Sequence, residues 1–420
     1  MRSIQKSIAI IFLMLFFSCS NDDALLTNDT KTIRDSKTSQ ASTITYANDR
    51  LIIQYHPGTS LTSKTILRQF YGVFSFEICH NCPDKSIEMW FFGGNINLEP
   101  KKSAIISSVP PPPIPGSEGI MDADYEFGFT LDMSSPSIGS STDFGYETYV
   151  KDTNNGITIA ILDSGIDTNF PLFNDDGVPI KFLYKSPDTE EGASGWDFFN
   201  NDHNAYDDNL AKHGTAVAYI INEELDEVGV NHQILPLKVS DSNGNASYFS
   251  VICALNDALN KADVVQMSLG WYDDGYGDFV NTIFSNLLNA HSNVIVVTSA
   301  GNNGSNNDSL IHYPSSYSQN NVIAVAATNT SLSQIATFSN YGVNSVDFFA
   351  PGENIPFEGY GIDGTSFAAP IVAAEVVKII DAYGDVSPEF IINKLILSGE
   401  DCSVSFVGEK PTKYNKLINP

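Results

Sequence analysis

Three short stretches of this chain carry residue types that could perform nucleophilic hydrolysis if folding brings them together. Gly364-Thr365-Ser366-Phe367-Ala368-Ala369-Pro370 sets a serine at the mouth of an apolar, alanine-rich run that continues to Ile380. A serine so placed has its backbone N–H at a helix N-terminus, where anionic oxygens are stabilised. Asp163 closes the apolar run Ile157-Thr158-Ile159-Ala160-Ile161-Leu162 and precedes Ser164-Gly165, so it reads as the last residue of a buried strand. His213 opens His213-Gly214-Thr215-Ala216-Val217-Ala218, the start of a second apolar helix. Taken singly, each has an ordinary structural alternative: Ser366 as a helix cap, Asp163 as a strand-end acid, His213 as a core histidine. Together they specify a hydrolytic site.

The segments that must position these residues have a clear rhythm. From Ile157 onward, strand-like runs at 234–239, 263–269, 294–299 and 322–327 alternate with helical patterns at 248–260 and 279–291. Such alternation predicts an α/β fold, a mainly parallel sheet flanked by helices on both faces. Ligands bind such open sheets at the carboxyl ends of the strands. Asp163, Ser268 and Asn302 all fall there.

The order Asp, His, Ser, together with Leu235-Pro236-Leu237-Lys238-Val239, Met267-Ser268-Leu269-Gly270 and Ala300-Gly301-Asn302, resembles the subtilisin-like serine proteases from about Asn155 to Ile380. The resemblance implies a serine endopeptidase with an acyl-enzyme intermediate and a peptide or protein substrate. Ser366 is then the nucleophile, His213 the base that takes and returns its proton, and Asp163 the acid that orients the imidazole. Asn302 matches the side-chain donor of the oxyanion hole. Ser268, Leu269, Gly270, Ala300 and Gly301 match the segments lining a cleft for an extended peptide, and Trp271 and Tyr272 are expected to crowd one wall. The chemistry needs no cofactor. His213 must be neutral to act, so activity is expected to rise through an imidazole pKa of roughly 6–7. Three positions depart from the family: Ala216 where a second histidine is usual, Lys212 in place of the glycine before the catalytic histidine, and Tyr219 at a usually small position. A narrow-specificity enzyme that matures one secreted peptide, and an inactive protease fold used for binding, are the competing functional readings.

Composition narrows the partners. The chain has 420 residues, 22 Lys and Arg against 50 Asp and Glu, and a net charge of −28, which excludes nucleic acid, whose phosphates need cations. Acidic pairs such as Asp175-Asp176, Asp207-Asp208 and Asp273-Asp274 read as solvated surface. Structural calcium is the second reading, because hard cations take loop carboxylates, but no ligand pattern selects a metal site.

The N-terminus reads as an export signal: Arg2 and Lys6, then an apolar run from Ile8 to Phe17, too short to span a bilayer. Cys19 directly after it resembles the lipidation site of a bacterial lipoprotein, which implies a membrane anchor and an outer-membrane or cell-surface location; secretion after ordinary signal cleavage is the alternative. Residues 1–18 are then the signal peptide and 19–44 a flexible tether. Residues 45–98 show a strand–helix–strand–strand pattern and resemble this family's α+β, ferredoxin-like inhibitory propeptide. Residues 99–144, with Val109-Pro110-Pro111-Pro112-Pro113-Ile114-Pro115-Gly116 at their head, are expected to be a linker that holds the processing site, and 145–420 the catalytic domain. In an exported protein, Cys79-His80-Asn81-Cys82 reads as a local disulfide, and Cys253 as a buried apolar residue.

Overall fold

The continuous apolar runs become strands covered on both faces. The computed structural model describes residues 44–419 apart from 81–84, 95, 108–118, 134–155, 169–182, 185–193, 274–281, 404, 405, 407 and 409. The signal segment with Cys19, the tether up to residue 43, Cys82, Asp175-Asp176 and the boundary at 144–145 lie outside the described residues.

The N-terminal unit runs β1 (Thr45–Tyr55), α1 (Leu61–Tyr71), β2 (Ser75–Ile78), β3 (Ile87–Phe91), α2 (Leu98–Ser107) and β4 (Ile120–Thr130). Its antiparallel strands lie in the order β2-β3-β1-β4, the split βαβ arrangement of a ferredoxin-like fold. The expected boundary at residue 98 is corrected here. Helix α2 and strand β4 fall in the stretch read as linker, and β4 pairs with β1 from Thr45↔Gly128 to Tyr55↔Ile120. This strand was illegible because its buried face carries Asp124 and Glu126, both under 10% exposed, so its pattern is polar.

The second unit is built from β5 (Ile157–Asp163), β6 (Trp196–Asp197), α3 (His213–Asp226), β7 (His232–Lys238), β8 (Asn245–Ser247), α4 (Tyr248–Lys261), β9 (Val264–Met267), β10 (Trp271–Tyr272), α5 (Thr282–Ala290), β11 (Ile295–Ser299), β12 (His312–Tyr313), β13 (Val322–Thr328), β14 (Phe348–Pro351), α6 (Thr365–Tyr383) and α7 (Pro388–Ser398). Strands β14-β13-β11-β9-β5-β7-β6 form the parallel core of a nine-stranded sheet completed by short C-terminal strands. Alternate residues of β5 serve opposite layers: Ala160 and Leu162 pack with α4 and α5, while Ile159 and Ile161 pack with α3 and α6. This is the expected α/β architecture.

The two units share a sheet and a core. Strand β4 pairs antiparallel with β8 through Gly128↔Ser247, Phe129↔Ala246 and Thr130↔Asn245. Ile44, Ile52, Ile87, Phe127, Phe129 and Leu131 sit in the same hydrophobic cluster as the buried face of α4. Two carboxylates of β4 close two helix N-termini. Asp124 accepts from Thr282 N (3.2 Å) and Ile283 N (2.9 Å) at the start of α5 and from the Tyr248 hydroxyl (3.1 Å) of α4, and Glu126 accepts from Phe249 N (2.9 Å) in the first turn of α4. Carboxylates placed there meet the positive end of each helix dipole. Burial pushes both carboxyls up, Asp124 to about 7 and Glu126 to about 8, against the pull of those N–H groups.

Candidate active site

Strand β5 ends at Asp163, fully buried, and α3 begins at His213, so the strand end and helix start meet. Gly214 permits that approach: a Cβ on it would lie 2.3 Å from the Gly165 carbonyl and 3.2 Å from Asp163 Oδ1. His213 Nδ1 lies 2.8 Å from Asp163 Oδ1, which also accepts from Ser164 N at 2.7 Å. An ionised carboxylate only accepts, so Nδ1 donates and neutral His213 carries its free lone pair on Nε2. That atom makes no hydrogen bond within the described residues.

Burial alone would pull the imidazole pKa down, but the charge and hydrogen bond of Asp163, with smaller pushes from Asp207 and Asp132, raise it above the ordinary value of 6.5. The base is active only when neutral, so activity should fall as pH drops through this raised value. A kcat/KM profile is therefore expected to show an acid limb with its midpoint above about 6.5. A midpoint well below it would contradict the Asp163 pairing.

Ser366 is the second residue of α6, nearly buried at 4% exposure. Pro370 follows four residues later inside the helix and has no N–H to give the Ser366 carbonyl. Ser268 supplies the missing donor, its hydroxyl reaching Ser366 O at 2.7 Å while Gln266 Nε2 donates to the Ser268 hydroxyl at 2.9 Å. The end of β9 and the residue after it thereby fix the Ser366 carbonyl. The Ser366 hydroxyl is 3.4 Å from Ser268 O, and the His213 ring is 5.3 Å from that of Phe367.

Asn302 follows β11. Its Oδ1 accepts from both Thr365 N and the Thr365 hydroxyl, each at 2.9 Å, which fixes the amide so that Nδ2 faces the cleft. There Nδ2 donates to Asp132 Oδ2 at 3.0 Å. Gly301, at φ 102°, turns the chain where a side chain would strike Asn340 Nδ2 at 2.6 Å. Asn302→Leu should lower kcat about 10²–10³-fold with little change in KM. Equal activity of the two enzymes in steady-state assays would remove Asn302 from the oxyanion hole.

The cleft, about 280 Å³, is lined by Ser268, Leu269, Gly270, Gly301, Asn302 and Ser366 from the sequence-nominated set. Ala300 does not line it; it is buried behind the wall, its carbonyl taking Asn307 Nδ2 at 2.8 Å and Asn340 Nδ2 at 3.0 Å. Tyr272 lines the cleft as expected, whereas Trp271 is fully buried against Phe127, Phe129 and Tyr248. His312 and Asp132 also line it, and no local pattern marked either one. Burial pushes the His312 imidazole down to about 3, so it is neutral.

The family departures have structural accounts. Lys212 takes the left-handed conformation, φ 52°, that a glycine would adopt freely. Its buried ammonium reaches Asp167 Oδ2 (2.9 Å), the Tyr206 hydroxyl (3.1 Å) and the Asp207 carbonyl (2.5 Å). Lys212→Met should destabilise by about 3–5 kcal/mol, since it breaks the buried Lys212–Asp167 ion pair from one side. Urea melts in a Ser366→Ala background, which prevents autolysis, check this, and an unchanged midpoint would contradict it. Ala216 packs in the core beside α6, and Tyr219 sets its ring 5.7 Å from Phe357.

Cys79 is bonded to Cys253, with Cα atoms 5.4 Å apart, and not to Cys82. Local spacing suggested the near partner, but β2 delivers Cys79 to the buried face of α4. Among the described residues no group of three or more His, Cys, Asp and Glu could hold a metal. Asp207 accepts from Thr215 and Asp208 pairs with Lys238.

Comparison with known proteins agrees with this geometry. The family model described as "Subtilase family" matches residues 154–402. The chain is 33% identical over 245 residues to subtilisin amylosacchariticus of Bacillus subtilis subsp. amylosacchariticus, covering 55% of this chain and 57% of that protein. It is 31% identical over 249 residues to proteinase R of Parengyodontium album, covering 56% of each. It thus spans just over half the length of these curated relatives. A crystal structure of a cold-adapted subtilisin-like serine proteinase superposes with TM-score 0.50 at 23% identity, covering 68% of this chain and 95% of the other, which supports the fold. The matched span, which contains Asp163, His213, Asn302 and Ser366, shows that this chain belongs to the subtilase family of serine peptidases.

Proposed function

We propose that the protein is a serine endopeptidase made as a precursor that cleaves itself. The observation that carries the reading is the buried Asp163–His213 pair with its free Nε2, set beside a cleft that holds Ser366 at a helix N-terminus and the Asn302 amide. In this reading His213 Nε2 takes the hydroxyl proton as Ser366 Oγ attacks a peptide carbonyl. The oxyanion so formed is held by Asn302 Nδ2 and the Ser366 N–H. The proton passes to the leaving amine, and water repeats the sequence to release the acyl group.

Self-processing is supported by the path of the chain. Strand β4 enters the cleft edge against β8, Leu131 N donates to Gly244 O at 2.8 Å, and Asp132 reaches Asn302. Thr130 and Asp132, at the end of the N-terminal unit, therefore line the cleft, where the tail of an intramolecular inhibitor would lie. An active-site fluorophosphonate tests the catalytic reading: folded protein freed of residues 1–133 should label at Ser366, and an unlabelled protein would favour a binding role. The membrane anchor on Cys19, with an outer-membrane or cell-surface location, is part of the same proposal and rests on the N-terminal sequence; mass analysis of the mature N-terminus would detect the lipid.

A further inference from the structure

The disulfide joins the two units, and its position has a consequence for any processing between them. Cys79 lies directly after β2 of the N-terminal unit and Cys253 lies in the middle of α4 of the catalytic unit. They are 174 residues apart in sequence. The segment they enclose contains Asp132 and the whole of residues 134–155, so a peptide bond cut there separates the chain without separating the molecule. The surroundings hold the same contact. Both cysteines are 2% exposed within the shared core. The next residue, His80, stacks on Trp196 of the catalytic unit, with ring centroids 3.6 Å apart and planes 4° from parallel.

We propose that the processed enzyme is a covalent two-chain molecule in which the Cys79–Cys253 disulfide retains the N-terminal inhibitory unit, and that an external dithiol sets it free. The proposal rests on the self-processing reading above. In the release step a thiolate of the dithiol attacks one sulfur, the Cys79–Cys253 bond breaks, and the other cysteine leaves as a thiolate that takes up a proton. The second thiol of the reductant then closes on the mixed disulfide. Both protein cysteines end as thiols, and the dithiol ends as a disulfide, having supplied two electrons and two protons. Because both sulfurs are buried, attack requires the interface between the units to open, which couples reduction to dissociation. Until then the tether keeps the inhibitor at an effective concentration on the order of millimolar, so dilution alone does not release it.

Two measurements separate the tether from the reading beneath it. In the first, Ser366→Ala full-length protein carries a recognition site for a specific external protease within 134–155, is cut with that protease, and is run on denaturing gels with free thiols blocked. A single species without reductant and two species with dithiothreitol are expected, unchanged by Cys82→Ser. Two species without reductant would overturn the tether. Cys253→Ala, or Cys79→Ala should the former fold poorly, should give two species in both lanes. In the second, self-processed wild-type enzyme is assayed on a short peptide. Dithiothreitol should raise its activity at least about tenfold, given that local concentration, and dilution should not. The Cys253→Ala enzyme should be activated by dilution without reductant. Full activity before reduction, with the tether intact in the first assay, would overturn the inhibitory role of the N-terminal unit and leave the covalent link standing.

Discussion

Ser366→Ala is expected to abolish peptide hydrolysis, with kcat falling by about 10⁶, the size of loss found for the nucleophile of the related subtilisin. Ser268 also lines the cleft, but its hydroxyl is committed to the Ser366 carbonyl at 2.7 Å and lies on the β9 side. The same variant should accumulate as uncut precursor under conditions in which the wild type separates into two polypeptides on reducing gels. It should also fold normally, since among the described residues the Ser366 hydroxyl makes only one long contact, 3.4 Å to Ser268 O, and its thermal melt serves as the control. A Ser366→Ala protein that matures as the wild type does would show that another peptidase performs the cut. Residual hydrolysis above about one part in 10⁴ would show that Ser366 is not the nucleophile.

Asp163→Asn should cost about 10⁴ in kcat. The carboxylate at 2.8 Å from His213 Nδ1 does two things: it keeps the ring proton on that nitrogen and it stabilises the imidazolium formed when Ser366 gives up its proton. An amide of nearly the same shape can instead present its NH₂ to Nδ1. That places the ring proton on Nε2, where it faces the nucleophile and blocks proton transfer. Because the shapes match, the fold should persist, although an NH₂ facing Nδ1 gives up the bond that Ser164 N donates to the same atom. A pH profile distinguishes this from a structural defect: the raised imidazole pKa depends on the Asp163 charge, so the acid limb should move to lower pH. A variant that loses activity with its limb in place would point to altered packing instead.

The catalytic set was legible in the sequence because each member stands where an element begins or ends. Asp163 terminates an unbroken apolar run, while His213 and Ser366 each open one, and such runs are forced to become buried strands and helices whose ends meet at one edge of a parallel sheet. Lys212 shows where this reading thins out. Its departure from glycine was visible, yet the ion pair with Asp167 that accommodates it depends on a loop that only folding brings into reach.

Strand β4 shows the larger gap. Asp124 and Glu126 point into the molecule, and an alternation of buried carboxylates reads as a polar linker to any argument based on hydrophobic periodicity. Those carboxylates are buried because they meet the N–H groups that open α5 and α4, helices more than a hundred residues away. Asp132, which occupies the Asn302 donor, carries no signal for the same reason.

By itself, then, the sequence determined the α/β unit and nominated Asp163, His213 and Ser366, with Asn302 by family resemblance, since strand and helix ends follow from local apolar patterns. Only the tertiary structure decided that the N-terminal unit extends through β4 into the cleft, that Cys79 bonds to Cys253, and that Ala300 and Trp271 stay out of the cleft. The partners in those contacts come from distant segments of one chain, and whether two such segments touch is a property of the packed whole.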